Sequence, residues 1–426
     1  MTLPAIIKHW FEAPVAVFGR GVSGDAAVKL IEQCGGEVVV YDERPEVGLP
    51  RFDRQAATTH ACVVVSPGFA KDHPWMVAAR EAGCELVSEL DLASVLWRGQ
   101  TIAVTGTNGK TTMVEFITHS LRAAGLKAHS VGNIGMPFSS LLLSDRGEDS
   151  WAVCEVSSFQ AETMKHFRAS SVIWSNFSED HLDRYPGMEA YFDAKMQLVS
   201  VCYPKVFIAG KEVAHFAEQM DRDLPENTWL VSKPLSVLPD SGPFAMKPQR
   251  SNFQLVCALF RSLGFDPVTL LETAKTFRQS PHRFHRVGLI NGVEFWNDSK
   301  ATNFSSAEAA LSQFEKPVLW IGCGKAKGGR IDLFGQRIAS QVKAAFLNGE
   351  TCAELEKSFQ AAEVPASSYE DFADAVRAAF KSAEPGDIVL FSPGFASQPP
   401  FRNYAERGER FEAIVNEIKE DLLTTP

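Results

Sequence analysis

A short apolar run, Thr101–Val104, leads into Thr105-Gly106-Thr107-Asn108-Gly109-Lys110-Thr111-Thr112, and a helical pattern begins at once. Two glycines let the backbone curl until successive N–H groups point at one anion, and the helix N-terminus adds its dipole. Gly106, Thr107, Asn108 and Gly109 would then cradle the phosphates of a nucleoside triphosphate. Lys110 would reach the β- and γ-phosphates and Thr111 would offer its hydroxyl to Mg²⁺, with Thr112 a further candidate for binding the nucleotide. The first glycine of the general phosphate-loop pattern is replaced by Val104, and Gly106 stands inside the loop instead.

Further candidates are scattered along the chain. Glu155 ends an apolar strand, the place where a nucleotide-bound Mg²⁺ finds a hard oxygen ligand. Asp180-His181 and Lys195 follow in Asn176–Pro186 and Tyr191–Met196. Pro281-His282-Arg283 precedes Asn297-Asp298-Ser299-Lys300-Ala301-Thr302-Asn303. A glycine-rich loop, Gly322–Arg330, carries Lys325 and Lys327, and Ser392–Gly408 contains Ser397 and Tyr404. Near the start, Gly19-Arg20-Gly21-Val22-Ser23-Gly24 is a GxGxxG between a strand and a helix. Asp42-Glu43-Arg44 stands where a dinucleotide fold places a ribose-binding acid. By itself that pattern would suggest NAD.

These residues need a scaffold. With 426 residues the chain is too long for one core. Short apolar runs alternate with helical segments, the pattern of parallel α/β sheets. Strands are expected at Val15–Phe18, Glu37–Tyr41, Ala61–Val65, Thr101–Val104, Trp151–Glu155, Ser171–Trp174, Lys205–Ala209, Pro317–Ile321 and Asp387–Phe391. Helices are expected over Gly24–Cys34, around Ala190–Val201, over Ser251–Leu263, and near Phe372–Ala379 and Glu406–Ile418. Three α/β domains follow: 1–98, 99–280, ending at Gln279-Ser280-Pro281, and 281–426. The first is Rossmann-like, the second is a mostly parallel P-loop sheet, and the third is again a Rossmann-like α/β domain.

Composition removes other classes. A net charge of −10 lacks the basic stripe of a nucleic-acid binder. Eight cysteines without a CxxC pair fit reduced thiols better than a zinc site or disulfide frame. No signal-peptide pattern opens the chain, and no uncharged apolar run reaches the ~18 residues that span a bilayer. A cytoplasmic protein without membrane or nucleic-acid partners is expected.

Taken together, the strings TGTNGKTT, EVSSFQ, NFSEDHLDRY, PHR…NDSKATN and SPGFASQPPFRNYAERG resemble those of the Mur ligases, in family order over about residues 13–415. The folylpolyglutamate ligases share the first string. The later strings are similar to those of the branch that adds D-glutamate to UDP-N-acetylmuramoyl-L-alanine. The resemblance implies ATP and two Mg²⁺ ions, with Thr111, Glu155, His181 and a carbamylated Lys195 as metal ligands. It places Lys110 and Lys300 in catalysis, and Asn252, Arg283 and Asp298 around the nucleotide, with His282 near phosphate or ribose. Gln249 replaces an expected asparagine before Asn252. The UDP part would meet Gly19, Arg20, Gly21, Val22, Ser23, Asp42, Arg44, Gly68, Asn133, Ser157 and Gln160. The amino acid would meet Thr302, Lys327 (Lys325 being the alternative), Ser397 and Tyr404. A monomer is expected.

Gly394-Phe395 and Gln398-Pro399-Pro400 depart from the family string, and Cys323 replaces a glycine in the loop before Lys325. The first departures lie in the expected amino-acid pocket, so a ligase for L-glutamate or another acid stays open. A folylpolyglutamate-type ligase leaves the first domain unexplained. An NAD-dependent oxidoreductase leaves the phosphate loop and the C-terminal strings unexplained, and a non-catalytic nucleotide binder leaves so many retained charged residues without a purpose.

Overall fold

The computed structural model describes residues 3–231, 238–246 and 248–424. Three sheets organise it. The first contains β1 (Val15–Phe18), β2 (Val38–Tyr41), β3 (Cys62–Val65) and β4 (Glu85–Ser88), in the order β2-β1-β3-β4 and parallel throughout. β1 and β3 are apolar and buried along their whole length, as strands covered on both faces must be. Phe18, Tyr41, Phe52 and Trp75 pack edge-on beside them. Burial of each such ring is worth roughly 1.5–3 kcal/mol.

The second sheet contains β5 (Gln100–Thr105), β6 (Lys127–Gly132), β7 (Ser150–Glu155), β8 (Ser171–Trp174), β9 (Val206–Gly210) and β10 (Thr228–Val231). Its order is β10-β9-β8-β5-β7-β6, again all parallel. From β5 the chain builds β6 and β7 on one side and β8 to β10 on the other. The loop after β5 therefore opens at the switch point, where ligands of open α/β sheets bind.

The third sheet contains β11 (His285–Ile290), β12 (Val293–Asn297), β13 (Val318–Cys323), β14 (Val342–Asn348), β15 (Ala366–Ser368) and β16 (Ile388–Gly394), in the order β11-β12-β16-β13-β14-β15. β11 and β12 form an antiparallel hairpin and the other pairs are parallel. The three site loops of this sheet leave its neighbouring strands β12, β16 and β13.

The chain forms two compact units. The first holds the first two sheets. The second holds the third sheet, beginning at Arg278, together with Ser178–Met188 and Met246–Pro248. The Asp180-His181 segment, expected within the middle block, thus groups with the third sheet. The reason is steric. A Cβ on Gly328 would lie 2.8 Å from the Leu182 carbonyl carbon, and one on Gly329 2.5 Å from Glu179 Oε1. Asp183 N–H also donates to Lys327 O at 3.1 Å. Among the described residues no helix is long and apolar enough to cross a membrane.

Within the first unit, the helix Glu89–Leu96 carries Glu89, whose Oε1 accepts from Ser139 N–H at 2.5 Å. Burial pushes the Glu89 carboxyl up to about 7. An unfolded glutamate releases its proton near 4.3. Between those values the folded protein keeps a proton that the unfolded chain has lost. This group's contribution to stability therefore falls as pH rises from about 4.3 to about 7 and is level above. Glu89→Gln retains an acceptor for Ser139 and has no proton to lose. Its stability is expected to match the parent near pH 4 and to exceed it at pH 8 by on the order of 3 kcal/mol. Chemical denaturation at a series of pH values checks this, and a gap that does not change with pH would overturn it.

Candidate active site

In the first unit the loop after β5 has the geometry that its glycines allow. Gly106 has φ +146° and Gly109, capping the helix Lys110–Ala123, has φ +81°. A Cβ on Gly106 would lie 2.0 Å from Ser175 Oγ, and one on Gly109 2.4 Å from Asn252 Nδ2. Asn176 pins the turn from below: its Oδ1 accepts from Asn108 N–H at 2.9 Å and its Nδ2 donates to Asn108 O at 2.9 Å. Lys110 Nζ folds back onto Gly106 O and Thr107 O, both at 2.9 Å, so its ammonium stands over the nest.

Thr111 Oγ donates to Glu155 Oε2 at 2.8 Å, and Asn133 Nδ2 donates to Glu155 Oε1 at 2.8 Å. Glu155 ends β7 beside the loop and is 3% exposed. A hydroxyl and a carboxylate this close, at the tip of a phosphate loop, are the hard oxygen donors that Mg²⁺ takes. Lys195, on the helix Met188–Cys202, is 1% exposed and donates to Gly106 O at 2.8 Å. As an ammonium it is a donor and not a metal ligand, and conversion to a carbamate would reverse that. Among the described residues no group of three or more His, Cys, Asp or Glu side chains is arranged to hold a metal, so hydroxyl and modified-lysine oxygens would have to complete any metal site. Thr107 Oγ lies 3.3 Å from the Tyr191 hydroxyl, and Thr112 is fully buried with its hydroxyl unpartnered. Asn252, 2% exposed, donates to Gln249 Oε1 at 2.9 Å, so the glutamine at the departing position holds the asparagine.

On the first sheet, Gly19 (φ +81°) follows β1, and a Cβ on Gly24 would lie 1.9 Å from Gly19 O. Ser66 Oγ donates to Gly19 O at 3.2 Å, which ties the turn before Gly68 to the glycine loop. Asp42 follows β2. Its carboxylate accepts from Arg20 N–H at 2.9 Å and from Arg44 Nε and Nη2 at 2.8 and 3.0 Å. Arg44 holds that carboxyl well below the usual carboxylate range. With both oxygens engaged, Asp42 is not the open acid that a dinucleotide's ribose hydroxyls require. Arg20 sends its side chain to Asp25 at 2.9 Å, Val22 is 77% exposed, and Ser23 lies in the same helical first turn. Ser157 and Gln160 form a capping box on Ser158–Ala161: Gln160 Oε1 accepts from Ser157 N–H and Oγ, while Gln160 N–H donates to Ser157 Oγ.

In the second unit, Asp180 is buried between two donors. Lys327 Nζ lies 3.2 Å from its Oδ1 and Asn303 Nδ2 2.9 Å from its Oδ2. Lys327 also reaches Thr302 Oγ at 3.4 Å, whereas Lys325 is exposed and its backbone bridges to Ala396. Of the two candidate lysines, Lys327 is therefore the one built into the cluster. His181 has φ +57° and its Nε2 is 3.7 Å from Asp180 Oδ2. A left-handed histidine is uncommon outside constrained sites. Lys300 Nζ stands 4.4 Å over the Tyr404 ring, and Ser299 Oγ donates to Tyr404 O at 2.8 Å.

Among the described residues of this unit, two side chains bury donors with no protein partner, Arg283 through Nε and Nη2 and Ser397 through its hydroxyl, and Gln341 Oε1 is a buried acceptor with none. Buried donors in folded proteins nearly always have partners, so both point to a ligand. Asp298 turns inward. Its Oδ1 accepts from Phe284 N–H at 3.0 Å and its Oδ2 from the Ser392 hydroxyl at 2.9 Å, and burial pushes its carboxyl up to about 7. His282 also turns inward, to Glu412 Oε1 at 3.1 Å and Asn297 Nδ2 at 3.0 Å. Gly408 is the close approach that admits it, since a Cβ there would lie 2.5 Å from the ring. The ring thus packs against the last helix.

Arg407 was part of a legible string but had no assigned role. It is 0% exposed and donates to Ser299 O (2.9 Å), Cys323 O (2.9 Å), Phe395 O (3.2 Å) and Ala396 O (3.4 Å). Those carbonyls belong to the three loops that carry Lys300, Lys327 and Ser397. A separate open cavity of about 770 Å³ lies at the carboxyl ends of β14 and β15, lined by Asn348, Tyr369, Gln398 and Phe401 among others. The departing residues Gln398, Pro399 and Pro400 line it, whereas the residues expected to contact ligand do not.

Comparison with known proteins gives the same pattern. Residues 104–233 match the Mur ligase middle domain, and residues 282–395 match the Mur ligase glutamate ligase domain. A UDP-N-acetylmuramoylalanine–D-glutamate ligase of Gloeobacter violaceus is 34% identical, over 95% of this chain and 99% of its own. One from Caldicellulosiruptor bescii is 32% identical, over 96% and 98%. Among solved structures, the MurF ligase of Thermotoga maritima in complex with ADP superposes with a TM-score of 0.58 at 15% identity, covering 97% of each chain. MurC of the same organism gives 0.58 at 17%, over 96% of this chain and 100% of the other.

Proposed function

From the premise that the chain belongs to the Mur ligase family, the ATP-dependent enzymes that form amide bonds, we propose that it adds D-glutamate to UDP-N-acetylmuramoyl-L-alanine in the cytoplasm, as a monomer. The observation that carries the reading is the phosphate loop with Lys110 folded over it and the buried Thr111–Glu155 pair at its tip. The amino-acid side rests on the Asp180–Lys327–Thr302 cluster and the unpartnered Ser397 hydroxyl. We propose the domain limits 1–98, 99–280 and 281–426.

In this mechanism the γ-phosphoryl group of ATP passes to the terminal carboxylate of the UDP-sugar substrate, giving an acyl-phosphate and ADP. The glutamate amine attacks the acyl carbon, loses a proton, and phosphate leaves from the tetrahedral intermediate. The protein's part is placement and neutralisation of charge. Backbone N–H groups of Gly106–Lys110 hold the phosphates, and Lys110 follows the charge that gathers on the transferred group. In the first unit Asn252 is assigned to the nucleotide; in the second, Arg283, with two free donors, is assigned to nucleotide phosphate and Asp298 to the nucleotide side. Lys300, Lys327, Thr302 and Ser397 orient the amino acid beside Tyr404. Asp42 and Arg44, with the Gly19–Ser23 loop, Gly68, Asn133, Ser157 and Gln160, hold the UDP portion. Mg²⁺ held by Thr111 and Glu155 would screen the phosphate charge. His181 is proposed as a ligand of a second ion, and Lys195 as the site of carbamylation.

Phosphate release from ATP tests the reading, with UDP-N-acetylmuramoyl-L-alanine, Mg²⁺ and bicarbonate present, and with D-glutamate, L-glutamate or no amino acid. Turnover is expected with D-glutamate alone. Turnover with L-glutamate alone would keep the mechanism and move the specificity, as the altered Gly394–Pro400 loop allows. No turnover with either sinks the substrate assignment.

A further inference from the structure

The helix Glu89–Leu96, which closes the first sheet, grips the second sheet's connections through three side chains. Glu89 takes Ser139 N–H, as described above. Asp91 Oδ1 accepts from Lys165 N–H at 3.0 Å and from His166 N–H at 2.8 Å, and Ser94 Oγ accepts from Arg168 N–H at 2.8 Å. The other oxygen of Asp91 accepts from Ser88 N–H and Ser88 Oγ, at 2.9 and 2.8 Å. Asp91 is 0% exposed, and N–H and O–H donors occupy both of its oxygens. Glu85 secures the same segment from the edge: its Oε1 lies 2.5 Å from His166 Nε2, and its Oε2 accepts from Trp10 Nε1 at 2.6 Å.

Capping a helix does not need a carboxylate buried this deeply, since Ser88 alone supplies an N-cap oxygen to the first turn. Burying a carboxylate is costly even when it is hydrogen-bonded. What Asp91 adds is attachment to the segment 155–166. That segment starts at Glu155, holds the Ser157–Gln160 capping box and ends at the two N–H groups that Asp91 binds. Its other side is held by Gln197 Nε2, which donates to Met164 O at 3.1 Å from the helix that carries Lys195. Gln160 is buried and uses its carbonyl oxygen in the capping box. Among the described residues its amide nitrogen has no protein acceptor, so it is available to a ligand.

We propose that Asp91 is a positioning residue for the UDP-sugar substrate, fixing segment 155–166, and with it the Gln160 amide, relative to the Gly19–Gly24 and Asp42 loops of the first sheet. This rests on the proposed role of Ser157 and Gln160 in substrate binding. Asp91→Asn retains the shape but puts an NH₂ group against one pair of donors. Ser88→Ala leaves Asp91 on Lys165 and His166 and removes only the cap hydroxyl.

Calorimetric titration of the full chain with UDP-N-acetylmuramoyl-L-alanine, and separately with a non-hydrolysable ATP analogue, tests the idea. Asp91→Asn is expected to weaken UDP-sugar binding by about tenfold, on the scale of one lost orienting hydrogen bond to a ligand, with ATP-analogue affinity within twofold of the parent. Ser88→Ala is expected to lower Tm and leave both affinities unchanged. Equal loss for both ligands, or unchanged UDP-sugar binding in folded Asp91→Asn, overturns the positioning role. Should Asp91→Asn not fold, Ser94→Ala, which releases Arg168 N–H two residues beyond that segment, is expected to weaken UDP-sugar binding about threefold, and no change overturns the role. A parent protein that does not bind the UDP-sugar sinks the proposed substrate, and this inference with it. A parent that binds, with unaffected variants, sinks the positioning role alone.

Discussion

Lys110→Met is expected to lower the rate of ATP-dependent amide formation by on the order of 10³-fold, the scale seen when one preorganised donor is removed from a developing charge. The methionine keeps the length and apolar stem of the side chain but removes the ammonium. The two hydrogen bonds lost, to Gly106 O and Thr107 O, are partly exposed and worth about 1 kcal/mol each to folding. Tm should therefore move little while phosphate release collapses. The loop's own geometry survives, because Gly106, Gly109 and the Asn176 bonds set it. ATP-analogue binding should then weaken far less than kcat falls, since the backbone nest still receives the phosphates. Phosphate release and thermal denaturation on the same preparation check this. Activity within tenfold of the parent would remove Lys110 from the transfer step.

Why this loop was legible in sequence, and other parts were not, has a physical reason. Its chemistry is local: strand, glycines, lysine and hydroxyl lie within a dozen consecutive residues, and each needs its residue type for a backbone or phosphate reason. The strands β1, β3, β7 and β8 were legible because burial on both faces makes them continuous apolar runs. β6, Lys-Ala-His-Ser-Val-Gly, is an edge strand with Lys127 exposed and His129 half-buried, and its polar residues hide it. β15, Ala-Ser-Ser, is another edge and too short to show a period. The helix Glu89–Leu96 was hidden for the opposite reason. Its acids look like solvent-facing residues, yet Glu89 and Asp91 are buried against backbone donors 50 and about 75 residues away. The one local signal was the Ser88–Asp91 capping box. His282 was legible as part of a motif but its packing was not, because the residue that admits its ring, Gly408, lies 126 residues downstream.

Arg407 shows the same limit at its largest expected structural effect. Replacement by lysine should destabilise the second unit by roughly 3–5 kcal/mol, as happens when a buried polar hub loses its geometry. Guanidinium is the group the site requires: it is planar and directs five N–H donors outward, and here they reach carbonyls of Ser299, Cys323, Phe395 and Ala396. A lysine ammonium has three donors at one point and cannot serve three loops, so buried carbonyls are left without a partner. Gly324 makes the fit tighter, since a Cβ there would lie 3.0 Å from Arg407 Nη1 and 2.1 Å from Ala396 O. No substitution at Gly324 could replace the lost bridge. Because the three loops carry Lys300, Lys327 and Ser397, the variant should also show a raised KM for the amino acid at temperatures where it is folded, with the KM for ATP nearly unchanged. Thermal denaturation and steady-state kinetics at a fixed low temperature separate the two effects. A variant as stable as the parent, or one whose KM values for ATP and amino acid rise together, would show that Arg407 is not what holds the amino-acid loops in register.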